Sequence, residues 1–370
     1  MTDFIVIGGG VYGAATAWAL ARQGADVHLL EDRSIANRAS GGPGQRGVRA
    51  NGRDVRELAL MREAYRQWPT LHERLNVPQF YQRCGQLLVV ERESDLARAE
   101  VQHRLQHHHG IESHWLKRDQ VRELEPNISR DIIAAIYCPL DGVANHEVTT
   151  KAFAAAAARA GALIEEGARV TAVEIGAGRA TAVITTTGER IPARRGVLVL
   201  ANSGVCELVS DWVGLPVWND VFQVLVSEPL ASVPFSHLVG HMHRTVSLKT
   251  EAGNAVMISG GWPGRWDAAT EEGYPLQQSI DANVAEAIAV FPALEGINIA
   301  NADASHQESL SLDGVPVIDN LPVAPNLYYA AGWSGHGWAI APVVAECLAD
   351  WVLTGNRPQQ LAPFAHGRFE

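Results

Sequence analysis

Near its start the chain carries Gly8, Gly10 and Gly13 spaced G-x-G-x-x-G, with Glu31 following 18 residues after Gly13. That spacing suits the diphosphate of a dinucleotide. Gly8 permits a tight turn, and Gly10 lets a pyrophosphate come against bare backbone. Gly13, with Ala14 and Ala17, lets the following helix lie close on its sheet. The free N–H groups opening that helix face the phosphates, and the Glu31 carboxylate accepts from a ribose diol. A second glycine turn, Gly332-Trp-Ser-Gly-His-Gly337, stands near the other end of the chain. Four histidines, His103, His107, His108 and His109, also invite a metal reading. Three consecutive side chains on a helix point in three directions, however, and no carboxylate or thiol pattern completes a set, so no metal is expected.

These groups need positioning elements. An apolar strand from Phe4 leads into the first turn, a helix runs from Ala14 to Arg22, and a second strand from Ala25 ends at Glu31. Arg33 to Gly52 is glycine-rich, basic and irregular, and a loop of that length in a compact domain is usually functional. The spacing predicts an amphipathic helix over 54–75 and a polar helix over 94–109, with a strand over 85–91 between them. Asp141 to His146 reads as a turn into an Ala-rich helix, 151–160, closed by Gly161. Strands are expected over 162–165, 168–175, 180–186 and 189–192, then a buried strand from Arg195 into Ala201-Asn-Ser-Gly204. The stretches 222–228, 245–249 and 254–261 read as strands with hairpin spacing, and 276–291 as a helix. The chain then returns with strands at 316–319 and from Leu327, and a helix over 338–354. This is an α/β chain (α+β overall): a Rossmann-like domain of residues 1–84, 141–215 and 309–370, interrupted by an antiparallel-sheet substrate domain of 85–140 and 216–308.

With 370 residues, the chain can bury one large core or two coupled ones. Its net charge of −11 argues against nucleic-acid or anionic-membrane surfaces. No run reads as long enough to span a bilayer. Cys84, Cys138, Cys206 and Cys347 form no C-x-x-C pair, as expected of reduced thiols in a cytoplasmic protein.

The return of the chain selects the cofactor. A nicotinamide enzyme usually completes its nucleotide fold in one stretch, whereas this chain leaves and comes back with a second glycine turn opening a second helix. A helix N-terminus aimed at a ring that gains negative charge on reduction favours the reduced form, which fits a flavin. The sequence resembles the D-amino acid oxidase superfamily, in particular its sarcosine oxidase and glycine oxidase branch. Carriers of the resemblance are Gly8 to Gly13 with Glu31, Ser40-Gly41, Asp141-Gly142, Val170, Ala201 to Gly204, Gln223-Val-Leu-Val, Asp313 to Asp319, and Gly332 to Gly337.

The resemblance implies FAD, with the second domain covering the flavin face, hydride removal from the carbon beside an amine to flavin N5, and hydrolysis of the imine. It places Gly8, Gly10 and Gly13 on the pyrophosphate, Glu31 on the adenosine ribose, Ser40, Gly41 and Arg46 along the phosphates and flavin, and the Val170 backbone on the adenine. Gly335, His336 and Gly337 fall beside the flavin pyrimidine. Val11, Tyr12, Asp32, Gln45, Ala201, Gly204, Gly332 and Trp338 flank these and complete the cofactor-binding set. Arg46-x-x-Arg49 matches an R-x-x-R whose second arginine grips the substrate carboxylate, a task suited to the two parallel N–H bonds of a guanidinium.

Three positions depart from that branch. The lysine expected two residues after the glycine-histidine-glycine turn is Ala339. The lysine over the flavin would fall at Ile258 or Ser259, neither of them basic; Lys249, earlier in the hairpin, is the remaining candidate. The position of the branch's covalent cysteine holds His306, which could bond a flavin or simply line the pocket. Arg49, His336, Lys249 and His306 are therefore the candidate catalytic set. The expected substrate is an amine or amino acid of sarcosine, imino-acid or opine type, and the missing flavin lysine points to a dehydrogenase passing electrons to a partner subunit. The alternatives are an FAD-binding structural or electron-transfer subunit without amine oxidation, and an NAD-binding dehydrogenase.

Overall fold

The computed structural model describes residues 2–370. Its first eight-stranded sheet is built on a parallel core. Strand Thr2–Ile7 pairs in parallel with Val27–Glu31 on one side and Arg190–Val199 on the other, and Leu163–Glu166 extends the sheet beyond Val27–Glu31. Ala324–Ala331 joins the far edge of Arg190–Val199, also in parallel. Thr2–Ile7 is buried almost throughout, as expected of a strand covered on both faces. Helix Val11–Ala21 packs on this sheet and against two further helices, His146–Arg159 and Ala341–Thr354. Close approach explains its alanines: Ala14, Ala15, Ala17 and Ala19 are all at most 1% exposed.

The second eight-stranded sheet runs Ile299–Asp303, Val224–Ser227, Ala255–Ser259, Ser247–Glu251, Leu238–His241, Gln86–Val90, Ala134–Cys138, His114–Lys117. Its pairings are antiparallel except that Leu238–His241 lies parallel to Gln86–Val90. Two segments far apart in sequence thus share one sheet. Leu87, Val89, Leu225, Leu248 and Ile258 are buried in the core beneath it, against helix Gln277–Val290.

Several expectations need correction. The 33–52 stretch contains a strand, Gln45–Val48, which pairs with Gly142–Asn145 inside the supposed turn before the Ala-rich helix. The 54–75 helix is broken: α-helix Leu58–Gln67 gives way to a 3-10 turn at Trp68–Thr70, where Pro69 cannot supply an N–H. The strands expected over 189–192 and from Arg195 are one, Arg190–Val199. A bulge in its pairing with Thr2–Ile7 lies just beyond Pro192, between Ala193 and Gly196. Strands Leu238–His241, Ile299–Asp303 and Gln307–Ser311 had no clear alternation to reveal them. One helical stretch is long and apolar enough by composition to cross a membrane: Gly337–Thr354, mean hydropathy 1.3. It is 72% buried here, as a core helix is.

Candidate active site

A cavity of about 1070 Å³ opens where the first sheet's strand ends, the 36–49 stretch and the second sheet converge. Its floor is set by the glycines. Gly8, at φ +106°, turns the chain sharply, and a Cβ there would meet the Leu200 carbonyl oxygen at 2.8 Å. At Gly13 a Cβ would lie 1.8 Å from the Gly8 carbonyl oxygen, so only glycine lets the helix seat. At Gly10 a Cβ would meet no protein atom within 4 Å. The helix it caps has no side-chain cap and no acid in its first turn. Bare N–H groups therefore face open cavity, as an anion site requires.

The two glycine turns are joined. The Tyr12 hydroxyl donates to the Gly337 carbonyl at 2.5 Å, and its ring stacks on Trp333 with centroids 3.5 Å apart. Glu31 accepts from the Gly9 N–H at 2.5 Å and the Arg33 N–H at 3.0 Å; burial pushes its carboxyl up against those bonds.

The cations line the opposite wall. Arg46 donates to the carbonyls of Ser40, Gly41 and Gly42, clamping that turn. The Arg49 guanidinium makes a single hydrogen bond, to the Asn51 carbonyl at 2.7 Å, and has no carboxylate partner among the described residues. Burial lowers both guanidinium pKa values to about 10. A partly desolvated charge without a counter-ion, as at half-buried Arg49, is costly, and an anionic ligand offsets that cost.

Arg49 is held from behind. Asp141, fully buried, accepts from the Ala50 N–H at 2.7 Å, the Asn51 N–H at 3.3 Å and the Tyr65 hydroxyl at 2.5 Å. Burial raises its carboxyl to about 6 in spite of those donors. Asp141→Asn keeps one acceptor oxygen, for the Ala50 N–H and the Tyr65 hydroxyl, and turns the other into an N–H2 donor facing the Asn51 N–H. The expected result is a melting temperature lower by several degrees, for about 1–3 kcal/mol lost, and a raised KM with little change in kcat. Thermal unfolding and steady-state kinetics check it.

Lys249 lies in the cavity wall. Register places it opposite Met257, with Nζ donating to Ser259 Oγ at 3.0 Å. The neighbouring strand therefore brings the remaining candidate, Lys249, to the cavity where positions 258 and 259 supply no base. Burial first, then the charges of Arg46 and Arg49, lower its ammonium to about 7.

Of the other residues singled out from sequence, Val11, Asp32, Val170, Ala201, Gly204, Gly335, His336, Trp338 and His306 also line the cavity. Burial lowers the His306 imidazole. Gly13, Gln45 and Gly332 do not reach it. Gln45 instead gives its N–H to Glu251, and Gly332 packs tightly on Ser311. Ala339 is buried behind the wall, where its carbonyl accepts from Trp68 Nε1.

Sequence reading missed Arg53 and Glu308. Arg53 forms a wholly buried ion pair with Glu57 at 2.9 Å and donates to the His336 carbonyl at 2.6 Å, tying the second glycine turn to the arginine stretch. Its i,i+4 spacing to Glu57 was the available signal. Glu308 gathers Ser40 Oγ, Asn202 Nδ2 and the Gly335 N–H, and nothing local marks it. His146 Nδ1, Gln223 Nε2 and Trp338 Nε1 are buried in the cavity wall without partners, as in a site built around a large polar ligand. An uncapped helix, orphaned donors and a volume beyond the usual 300–1,000 Å³ of a ligand site fit FAD with a small substrate.

At the histidine-rich helix end, His103 Nε2 lies 3.1 Å from the Ser113 carbonyl. Glu91, His241 and His243 do lie together. Glu91, however, is engaged at both oxygens by Arg244, at 2.6 and 2.8 Å, and His241 Nδ1 accepts two backbone N–H bonds, leaving its proton on Nε2. This is an ion-pair cluster.

Comparison with known proteins places the chain in a family. The chain is 27% identical over 385 residues to the beta chain of a sarcosine oxidase of Arthrobacter, itself one subunit of that enzyme, covering 100% of this chain and 91% of that one. It is 26% identical to a subunit of the opine oxidase of Rhizobium meliloti, covering 100% and 98%. The L-proline dehydrogenase of P. horikoshii has the same fold, with a TM-score of 0.89 at 22% identity over 100% and 97% of the two chains. Residues 3–351 match the family described as FAD dependent oxidoreductase, and the chain belongs to that family, with FAD as its cofactor.

Proposed function

We propose that this FAD-dependent oxidoreductase oxidises the C–N bond of an amino acid or secondary amine bearing a carboxylate. One observation carries the reading: Arg49 presents a half-buried guanidinium, with no carboxylate partner among the described residues, to the cavity. FAD, when bound, supplies the hydride acceptor. Gly8, Gly10 and the start of helix Val11–Ala21 would hold its diphosphate, Glu31 its ribose, and the turn at Gly335–Gly337 its ring.

Arg49 grips the substrate carboxylate and so fixes the amine-bearing carbon, which turns binding energy into orientation. Lys249, neutral above about 7, takes a proton from the substrate ammonium and frees the nitrogen lone pair. The sign follows: kcat/KM rises with pH through about 7 and then levels. Lys249→Met removes that inflection and lowers the plateau about 10²-fold. A pH–rate series on both proteins checks this, and an unchanged profile in the variant assigns the proton elsewhere. The hydrolysed imine leaves as a carbonyl compound and an amine.

The two sheets divide the work in this reading: residues 1–84, 141–215 and 309–370 hold FAD, while 85–140 and 216–308 cover the substrate. The named relatives from Arthrobacter and Rhizobium meliloti are subunits, which supports electron transfer to a partner subunit. Free cysteines suit a cytoplasmic setting. An anaerobic titration with amino acids, followed by air, tests the oxidation and shows whether oxygen or a partner takes the electrons.

A further inference from the structure

Beside Glu31 and Val170 the main cavity is ringed by charges drawn from four segments. Arg169, just before strand Val170–Gly176, donates to both oxygens of Glu271, at 3.2 and 3.1 Å. Arg38, in the 33–52 stretch, reaches Glu271 at 3.5 Å and Asp32 at 3.2 Å. Glu271 itself belongs to the 216–308 stretch. It stands in the turn of a hairpin, Arg265–Asp267 paired with Glu272–Tyr274. The root of that hairpin is pinned: the Gly264 N–H donates to the Val221 carbonyl at 2.8 Å and the Gly273 N–H to the Ser305 carbonyl at 3.0 Å. A Cβ on Gly273 would lie 2.0 Å from the Ala304 carbonyl oxygen. The tip, 268–271, is held differently. Among the described residues, its hydrogen bonds to other segments are all made by the Glu271 carboxylate. Ala268 is exposed and yet lines the cavity, so the tip stands between cavity and solvent. Glu271 sits at φ +52°, a left-handed conformation that a non-glycine residue keeps where its surroundings hold it.

We propose that the hairpin 265–274 is a strap that closes the cavity over the adenosine end of FAD, with Glu271 as its latch on Arg169 and Arg38. The inference rests on FAD lying with its adenosine at Glu31, and it does not need the amine-oxidising reading. Backbone bonds and a close glycine contact seat the root, whereas the tip is freed by parting one carboxylate from two guanidiniums. The three side chains are between 31 and 43% exposed, so water and salt compete for each contact and the latch opens without unfolding the protein. A strap of this kind slows the entry and the exit of FAD alike, which a side chain that only touched FAD would not do.

The test follows flavin fluorescence as FAD binds to apoprotein and as it leaves holoprotein, over a salt series. Glu271→Gln raises both rates about fivefold at low salt, the scale of an exposed ion pair, and leaves their ratio nearly unchanged. Both rates also depend less on salt in the variant than in the wild-type protein. Arg169→Lys keeps the charge and stays close to the wild-type rates, whereas Arg169→Gln follows Glu271→Gln. If FAD stays with the chain in acid, the binding rate and its salt dependence decide alone. Equal rates and equal salt dependence in wild type and Glu271→Gln overturn the strap. A faster release with unchanged binding overturns it too, and makes Glu271 a contact of FAD instead. If Gly10→Val loads FAD normally, the placement of FAD fails, and the strap fails with it.

Discussion

Arg49→Ala is expected to lower kcat/KM for amino-acid substrates on the order of 10²-fold or more while leaving bound FAD in place. Truncating one side of a buried, hydrogen-bonded charge pair costs about 2–5 kcal/mol, and each 1.36 kcal/mol is tenfold. The protein loses little else. The Arg49 side chain makes one hydrogen bond, to the Asn51 carbonyl, and Asp141 holds residues 50 and 51 without it. Removing the charge also relieves an uncompensated cation, so the melting temperature of the substrate-free protein should hold or rise. Arg49→Lys keeps a charge but loses the bidentate fork, and should recover only part of the activity. Flavin absorbance, a melting curve and steady-state kinetics on the three proteins separate these effects. Unchanged kinetics in Arg49→Ala would remove Arg49 from the site.

Gly10→Val is expected to abolish FAD retention in a protein that still folds. The Gly10 backbone is extended, at φ −70° and ψ −179°, which valine adopts without strain, and a Cβ there meets no protein atom within 4 Å. Only the ligand needs that space. Losing two charge-assisted N–H bonds to phosphate, at about 1.5–3 kcal/mol each, weakens FAD on the order of 10³-fold. Gly13→Ala is the contrast. Its Cβ would lie 1.8 Å from the Gly8 carbonyl oxygen, so the helix must shift and the apoprotein itself loses stability. Flavin content after purification and apoprotein melting temperature distinguish the two variants.

The contrast also shows what a sequence can carry. The roles of Gly8, Gly10 and Gly13 are set within one strand–turn–helix unit, so their spacing alone predicts them, and Glu31 follows from the length of the next strand. Tyr12 and Gly337 were each legible, but the bond joining them spans 325 residues and was not. Lys249 was named from the sequence, but its reach into the cavity was not legible there. Its place beside Ser259 depends on hairpin register, which pairs Lys249 with Met257, and counting along one strand cannot see across to the next. Pro192 misled in the opposite direction, because a bulge lets one strand continue past it. Arg53 and Glu308 act by linking separate segments at the cavity. Such links arise only after the two sheets are built, and Gln86–Val90 reaches its sheet through Leu238–His241, some 150 residues away.

The central claim is that Arg49 orients a carboxylate-bearing amine for oxidation. The most direct measurement is an anaerobic titration of FAD-loaded protein, comparing each N-substituted amino acid with the amine that differs only by loss of the carboxylate. The expected result is bleaching of the flavin band by a member of the acid series, at least about 10²-fold weaker action by its decarboxylated partner, and no such difference in Arg49→Ala. Equal bleaching by acid and amine in the wild-type protein, or none by any of them, would contradict it.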